Sequence, residues 1–160
     1  MEIRTATPAD LAAVTALEAA CFPPAEAAGE ASFQARLAAF PDSFWLLVEG
    51  GRVLAMVNGM VTQQPDLTDA MYDDASLHDP AGPWQMIFGV ATHPDFRCRG
   101  YAGTLLRHAI QETRARGKAG LVLTCKEKLV PYYARFGFVS EGTSASQHGG
   151  AAWYQMRLRV

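Results

Sequence analysis

The stretch Trp84-Gln85-Met86-Ile87-Phe88-Gly89-Val90-Ala91-Thr92-His93-Pro94-Asp95-Phe96-Arg97-Cys98-Arg99-Gly100-Tyr101-Ala102-Gly103-Thr104-Leu105-Leu106-Arg107 carries the order strand, tight turn, helix. Trp84 to Thr92 is an apolar, β-rich run, and Pro94 ends it because the residue before a proline and the missing N–H both interrupt a ladder. Beyond the turn, Ala102, Leu105, Leu106, Ala109, Ile110 and Thr113 fall on one face of a helix. Arg107, Gln111 and Arg114 fall on another, and Gly117 caps the end. A helix start offers unpaired N–H groups and a positive dipole end, which together bind phosphate, while Gly100 and Gly103 let the backbone approach a ligand closely. Arg97 and Arg99 add charge. No Gly-Lys-Ser/Thr follows, so the turn is not the P-loop, and it lacks the Gly-x-Gly-x-x-Gly spacing of a dinucleotide site. The reading without function is an ordinary glycine-capped turn between strand and helix.

Working outward, Glu2 to Arg4 reads as a short strand. Thr7-Pro8-Ala9-Asp10 then makes a helix start, with Thr7 as N-cap, Pro8 at the first helical position and Asp10 near the positive dipole end. Leu11, Val14, Leu17 and Cys21 give that helix one apolar face, and Phe22-Pro23-Pro24 stops it. Ser32 to Phe40 reads as a second helix. Phe44 to Glu49 and Arg52 to Thr62 are strands around a Gly50-Gly51 hairpin turn. Gln63 to Pro83, rich in proline and aspartate, reads as a loop with one helical turn near Leu67 to Tyr72. Leu121 to Thr124 is a short strand, Leu129 to Phe136 a short helix ended by Gly137, and Phe138 to Glu141 with Ala152 to Arg159 a final strand pair. The sum is one α+β domain over residues 1–160, built on a single mixed sheet.

The composition fits that size: 160 residues, 49% of them hydrophobic, support one core. No apolar run reaches the ~20 residues that cross a bilayer, and Met1-Glu2-Ile3-Arg4 does not begin like a signal peptide, so a soluble cytoplasmic protein without membrane contact is expected. Cys21, Cys98 and Cys125 lack paired spacing and read as reduced thiols. Residues 1–95 hold 3 basic and 13 acidic side chains, and residues 96–160 hold 11 and 3, giving halves of −10 and +8. Such charges can simply pair across a folded surface. They can also leave the C-terminal half to hold a polyanion while the N-terminal half attracts a cation. The net charge of −2 and the coincidence of the basic residues with the turn argue against a nucleic-acid partner.

Arg97, Gly100 and Ala102 match the Arg/Gln-x-x-Gly-x-Gly/Ala hallmark of the GNAT superfamily of acyl-coenzyme A-dependent N-acyltransferases, which the sequence here resembles. A second stretch, Thr124-Cys125-Lys126-Glu127-Lys128-Leu129-Val130-Pro131-Tyr132-Tyr133-Ala134-Arg135-Phe136-Gly137-Phe138, is similar to the arylalkylamine (serotonin) N-acetyltransferase branch. The shared elements are the cysteine, Leu-Val-Pro, the aromatic-Tyr pair and Arg-Phe-Gly-Phe, and the resemblance covers about Trp84 to Gly142.

The resemblance implies a mostly antiparallel sheet of about seven strands flanked by about four helices. It also implies acetyl-coenzyme A as co-substrate, no metal, and a primary amine of a small molecule as acceptor, a peptide amine being the less favoured choice. Val90, Ala91 and Thr92 would then run beside the pantetheine arm, with the backbone of Val90 and Thr92 pairing to it. Arg97, Cys98, Arg99, Gly100, Tyr101, Ala102 and Gly103, with Thr104, would hold the pyrophosphate.

Tyr133 takes the family's position of the acid that protonates the leaving thiolate, ahead of its neighbour Tyr132. The relatives carry two histidines for proton removal on the strand before the turn. The matching residues here are Met86 and Phe88, neither of which accepts a proton. His78, with acids beside it, and His148, in the final hairpin, are the candidate replacements, each weighed against a solvated loop histidine. His93 reads as a turn residue and His108 as a surface one, while Glu26, Glu30 and Asp73-Asp74 could act through water or attract a cation. A coenzyme A-binding sensor without turnover is the alternative of a different class, and the final strands offer an edge through which two copies could pair.

Overall fold

The computed structural model describes residues 1–160. β1 (Glu2–Thr5) leads through Thr7, whose backbone N–H donates to the Asp10 carboxylate at 2.8 Å, into α1 (Leu11–Cys21). α2 (Glu30–Ala39) follows, then the hairpin β2 (Phe44–Glu49) and β3 (Arg52–Asn58), turned by Gly50 and Gly51 at φ 57° and 76°. Next come β4 (Val61–Thr62), α3 (Asp69–Asp73), β5 (Trp84–Ile87) and β6 (Gly89–Thr92). α4 (Tyr101–Ala115), β7 (Gly120–Cys125), α5 (Val130–Ala134), β8 (Val139–Thr143) and β9 (Tyr154–Arg159) complete the chain.

The α+β class and the mixed, mostly antiparallel pairing stand, but the count of one sheet with about seven strands and four helices needs correcting. Nine strands form two sheets, β1-β2-β3-β6 and β4-β5-β7-β9-β8, with five α-helices, and only β5–β7 is parallel. The reason lies in two runs that read as unbroken strands. Arg52 to Thr62 breaks after Asn58, and Trp84 to Thr92 breaks at Phe88. Hydrogen bonds from Met86 N–H to Met60 O and from Phe88 N–H to Asn58 O, both 2.7 Å, hold the two runs together on either side of the break.

Past that point the neighbours part company. β5 pairs with β7 from Trp84↔Gly120 to Ile87↔Leu123, after which β6 stays with β3 while β7 continues beside β9. A wedge opens between β6 and the end of β7.

Side chains alternate across the first sheet as the pleat requires. Trp45, Leu47, Ala55 and Val57 face Leu105, Leu106, Ala109 and Ile110 of α4. Leu46, Val48 and Met56 face Val14 and Leu17 of α1 and Phe33 and Leu37 of α2. Of the expected α1 face, Val14 and Leu17 are buried and Leu11 and Cys21 half-buried, and Glu18 is buried among them at 7% exposure. No helix is long and apolar enough to cross a membrane.

Candidate active site

The wedge is the inner wall of a cavity of about 460 Å³. Ile87 to Val90 and Leu123 to Lys126 form its two strand walls, and Glu18, Arg36, Tyr72, Tyr133, His148 and Trp153 reach it from the surrounding helices and loops. The roof is tied down by two contacts to the segment between α1 and α2. Lys126 Nζ pairs with Glu26 Oε1 at 3.0 Å, and His148 Nε2–H donates to the Glu26 carbonyl at 2.8 Å. Carbonyl oxygens only accept, so His148 carries its proton on Nε2. Its ring stacks on Tyr72 with centroids 4.7 Å apart.

Tyr133 lines the same cavity. It is 8% exposed, its hydroxyl is held by no hydrogen bond within the chain, and burial pushes its phenol well above the usual range. Tyr132 lies edge-on to it at 5.1 Å and does not line the cavity. Tyr72 donates to or accepts from Thr124 Oγ1 at 3.1 Å, and burial pushes its phenol up to about 12.

From the cavity, β6 runs toward the turn with one edge unpaired. His93 N–H donates to Leu54 O in the β3–β6 register, so Ala91, two residues back, also turns its backbone to β3. The backbone groups of Val90 and Thr92 therefore face away from β3, and Thr92 O accepts from Cys21 Sγ at 3.2 Å and Arg97 Nε at 3.4 Å.

Beyond it, Cys98 and Gly100 adopt φ of 64° and 78°, which wind the chain tightly into α4. From Cys98 onward, the first amide to find an acceptor in the chain is that of Thr104, which donates to Gly100 O at 3.0 Å; those of Tyr101, Ala102 and Gly103 have none. The Thr104 hydroxyl also donates to Gly100 O at 3.0 Å. Gly103 is buried, and a Cβ there would sit 3.3 Å from Phe136 Cζ, so a larger residue would press on the Phe136 ring just past α5. Arg97 and Arg99 are exposed and take part in no ion pair, and Arg99 lies over the Phe96 ring at 5.1 Å.

The histidine candidates separate. His148 lines the cavity, whereas His78 lies outside it, packed against Phe40, with Nδ1 accepting the Val61 N–H at 3.0 Å and burial pushing its pKa down. A lone pair already engaged and a lowered basicity both weigh against His78 as a base. His93 Nδ1 accepts from the Asp95 N–H in the turn, and His108 sits beside Glu112 on the surface of α4. Met86 is fully buried in a small cluster with Phe40, Met60 and Met71, while Phe88 lines the cavity. Glu26 and Asp73 also line it, Glu30 is exposed at the start of α2, and Asp74 caps the turn after α3 through the Ser76 N–H.

Glu18, Arg36 and Tyr72 carry much of the cavity's polarity and went unread in the sequence. Glu18 falls four residues after Val14 and Arg36 three after Phe33, so each lies inside an apolar stripe, and that placement was the available signal.

Among known proteins, the chain is 30% identical over 115 residues to serotonin N-acetyltransferase of Mesocricetus auratus, an alignment covering 70% of this chain. It spans about half the length of that relative, 53%. The GNAT-like decarboxylase GphF, solved in complex with isobutyryl-CoA, superposes with a TM-score of 0.82 at 21% identity, covering 99% of both chains. The ribosomal-protein-S18-alanine N-acetyltransferase from Escherichia coli superposes with a TM-score of 0.73 at 20% identity, covering 99% of this chain and 93% of its own. The model of the acetyltransferase (GNAT) family matches residues 11–138, spanning the wedge, the turn and Tyr133 together, and the chain belongs to that family.

Proposed function

We propose that the protein transfers an acetyl group from acetyl-coenzyme A to a primary amine of a small molecule, by direct attack of the amine on the thioester. The observation that carries this reading is the unpaired edge of β6, which leads from the cavity to the free amides at the start of α4. A pantetheine arm is an extended chain with amide groups, and the outward backbone of Val90 and Thr92 suits it as a strand partner. A pyrophosphate at its far end would meet the amides of Tyr101 to Gly103 with Arg97 and Arg99 beside them. The thioester then falls in the cavity, next to Tyr133.

Within that cavity the Tyr133 hydroxyl donates its proton to the departing sulfur. The clamps from Lys126 and His148 to Glu26 close the roof, which favours a small acceptor over a peptide that must thread through. Tyr72, Phe88 and Trp153 give the acceptor space an aromatic lining suited to a cationic amine.

Calorimetry with acetyl-coenzyme A and a thiol-release assay over a panel of primary amines test the reading together. Arg97→Glu with Arg99→Glu is expected to raise the Kd for acetyl-coenzyme A about 30-fold or more, since it turns two attractive charges into repulsive ones. An unchanged Kd removes the pyrophosphate site. Binding without thiol release across the panel leaves a coenzyme A-binding domain without turnover.

A further inference from the structure

Two residues that line the cavity, Glu18 and Arg36, and Asn58 just behind Gly89 each hold a buried polar atom that bonds nothing in the chain: Glu18 Oε1, Arg36 Nε and Asn58 Nδ2. Buried polar atoms without partners are rare because each forfeits its hydration, so three together call for a ligand that supplies bonds. Their other atoms are well held. Glu18 Oε2 accepts the Ala28 N–H at 2.9 Å, and Arg36 donates to Asn58 Oδ1 and to Tyr72 O, each at 3.0 Å. Glu18 and Arg36 make no ion pair within 4 Å, so the carboxylate is fixed in place with one oxygen free.

That oxygen is aimed at the reacting end of the cavity. A Cβ on Gly89 would stand 3.8 Å from Glu18 Oε1 and 3.8 Å from Asn58 Nδ2, and Gly89 is the first residue of the unpaired β6 edge. We propose that Glu18 is the general base of the reaction, taking the proton from the acceptor ammonium at this point, which rests on the acetyltransferase reading above. Met86 and Phe88 leave the strand without a base, and Glu18 approaches from α1 on the other side of β6.

An alkylammonium of pKa ~10.4 is neutral in well under ~0.1% of molecules at pH 7, so one proton first passes to Glu18 Oε1 and on to solvent. The freed nitrogen lone pair forms the C–N bond to the thioester carbonyl and the C–S bond breaks. The sulfur takes a proton from Tyr133, and the second nitrogen proton restores the phenol. Burial raises the Glu18 carboxyl above its ordinary 4.5, which makes it a stronger base than a free carboxylate. The other charged and titratable groups that line the cavity are Cys21 on its own helix, Arg36 on α2, Tyr72 and Asp73 on α3, Cys125 on β7, Lys128, Tyr133 on α5, His148 before β9, and the Glu26–Lys126 pair at the roof.

Two acceptors of nearly the same shape test the role. The terminal amine of 2-phenylethylamine is an ammonium at pH 7, whereas that of O-benzylhydroxylamine is already neutral and needs no prior deprotonation. Glu18→Gln is expected to lower kcat/KM about 100-fold or more for 2-phenylethylamine and less than about threefold for O-benzylhydroxylamine. With the first acceptor the acidic limb of the pH profile should move from the carboxyl's ionisation up to that of the ammonium itself, and the acetyl-coenzyme A Kd should hold. Equal loss with both acceptors, or no loss with either, overturns the proposal, as does finding the acceptor-dependent loss in His148→Gln instead. Should the glutamine variant fail to fold, Glu18→Asp, which keeps a withdrawn carboxylate, should show an intermediate loss with the same acceptor dependence. Thiol release from neither acceptor by the unaltered protein defeats the acetyltransferase reading itself, a result distinct from these.

Discussion

Tyr133 holds its proton more firmly than a free phenol, because burial disfavours the phenolate and Tyr132 and Cys125 push the same way. In the proposed reaction, giving that proton to a thiolate of ordinary pKa ~8.5 is uphill when done alone, so the transfer would be coupled to the proton leaving the attacking nitrogen. Tyr133→Phe is therefore expected to lower kcat about 100-fold or more. The same variant should leave the acetyl-coenzyme A Kd and the Tm nearly unchanged, since the hydroxyl bonds nothing in the chain. Stopped kinetics across the pH range check this, and an unaltered kcat removes Tyr133 from the acid role. Tyr133 was legible because it stands inside a dense local motif. Glu18 was not, because a glutamate on a short helix reads as solvated until the element covering that face is known.

The decisive element is the break shared by the Arg52–Thr62 and Trp84–Thr92 runs. A glycine inside a strand signals a bulge or a close approach, but only the packed sheet names what approaches Gly59. A Cβ there would lie 1.7 Å from Met86 O and 2.9 Å from Ile87 Cα, both backbone atoms that cannot swing aside. Gly59→Ala is expected to cost more than about 3 kcal/mol in denaturant unfolding and, where protein is recovered folded, to weaken acetyl-coenzyme A binding by narrowing the wedge. Stability within about 0.5 kcal/mol of the parent would show that the two runs do not depend on this approach. α4, by contrast, was legible from its periodicity because its apolar stripe is set by residues a turn apart rather than by a partner far along the chain.

Across the whole molecule, the uneven charge is only partly spent on pairing. Lys126–Glu26 and Arg157–Asp66 cross between the acidic and basic halves, but Arg97 and Arg99 stay free at the turn, where an anion is expected. Ion pairs also set the acid limit of the fold. Arg4 grips Asp10 with two bonds of 2.8 Å and holds its carboxyl below the ordinary 3.8, and Arg157 holds Glu141 below its ordinary 4.5. Depressed carboxyls contribute stability that is present above the ordinary values and lost as pH falls through the lower folded ones. Thermal melts should therefore lose Tm as pH drops from about 5 to about 2. Asp10→Asn should cost about 1–2 kcal/mol at pH 7 and flatten that loss; an unflattened slope assigns the acid limit to other groups. The sequence by itself determined the strand–turn–helix unit, the glycines and arginines gathered at its turn, and the motif that holds Tyr133, since each rests on residues close in the chain. Only the tertiary structure decided that the sheet splits in two, that His78 turns away while His148 enters the cavity, and that Glu18, Arg36 and Asn58 meet. Those meetings join α1, α2 and β3 on one face of the sheet, and no local periodicity encodes which buried faces come together.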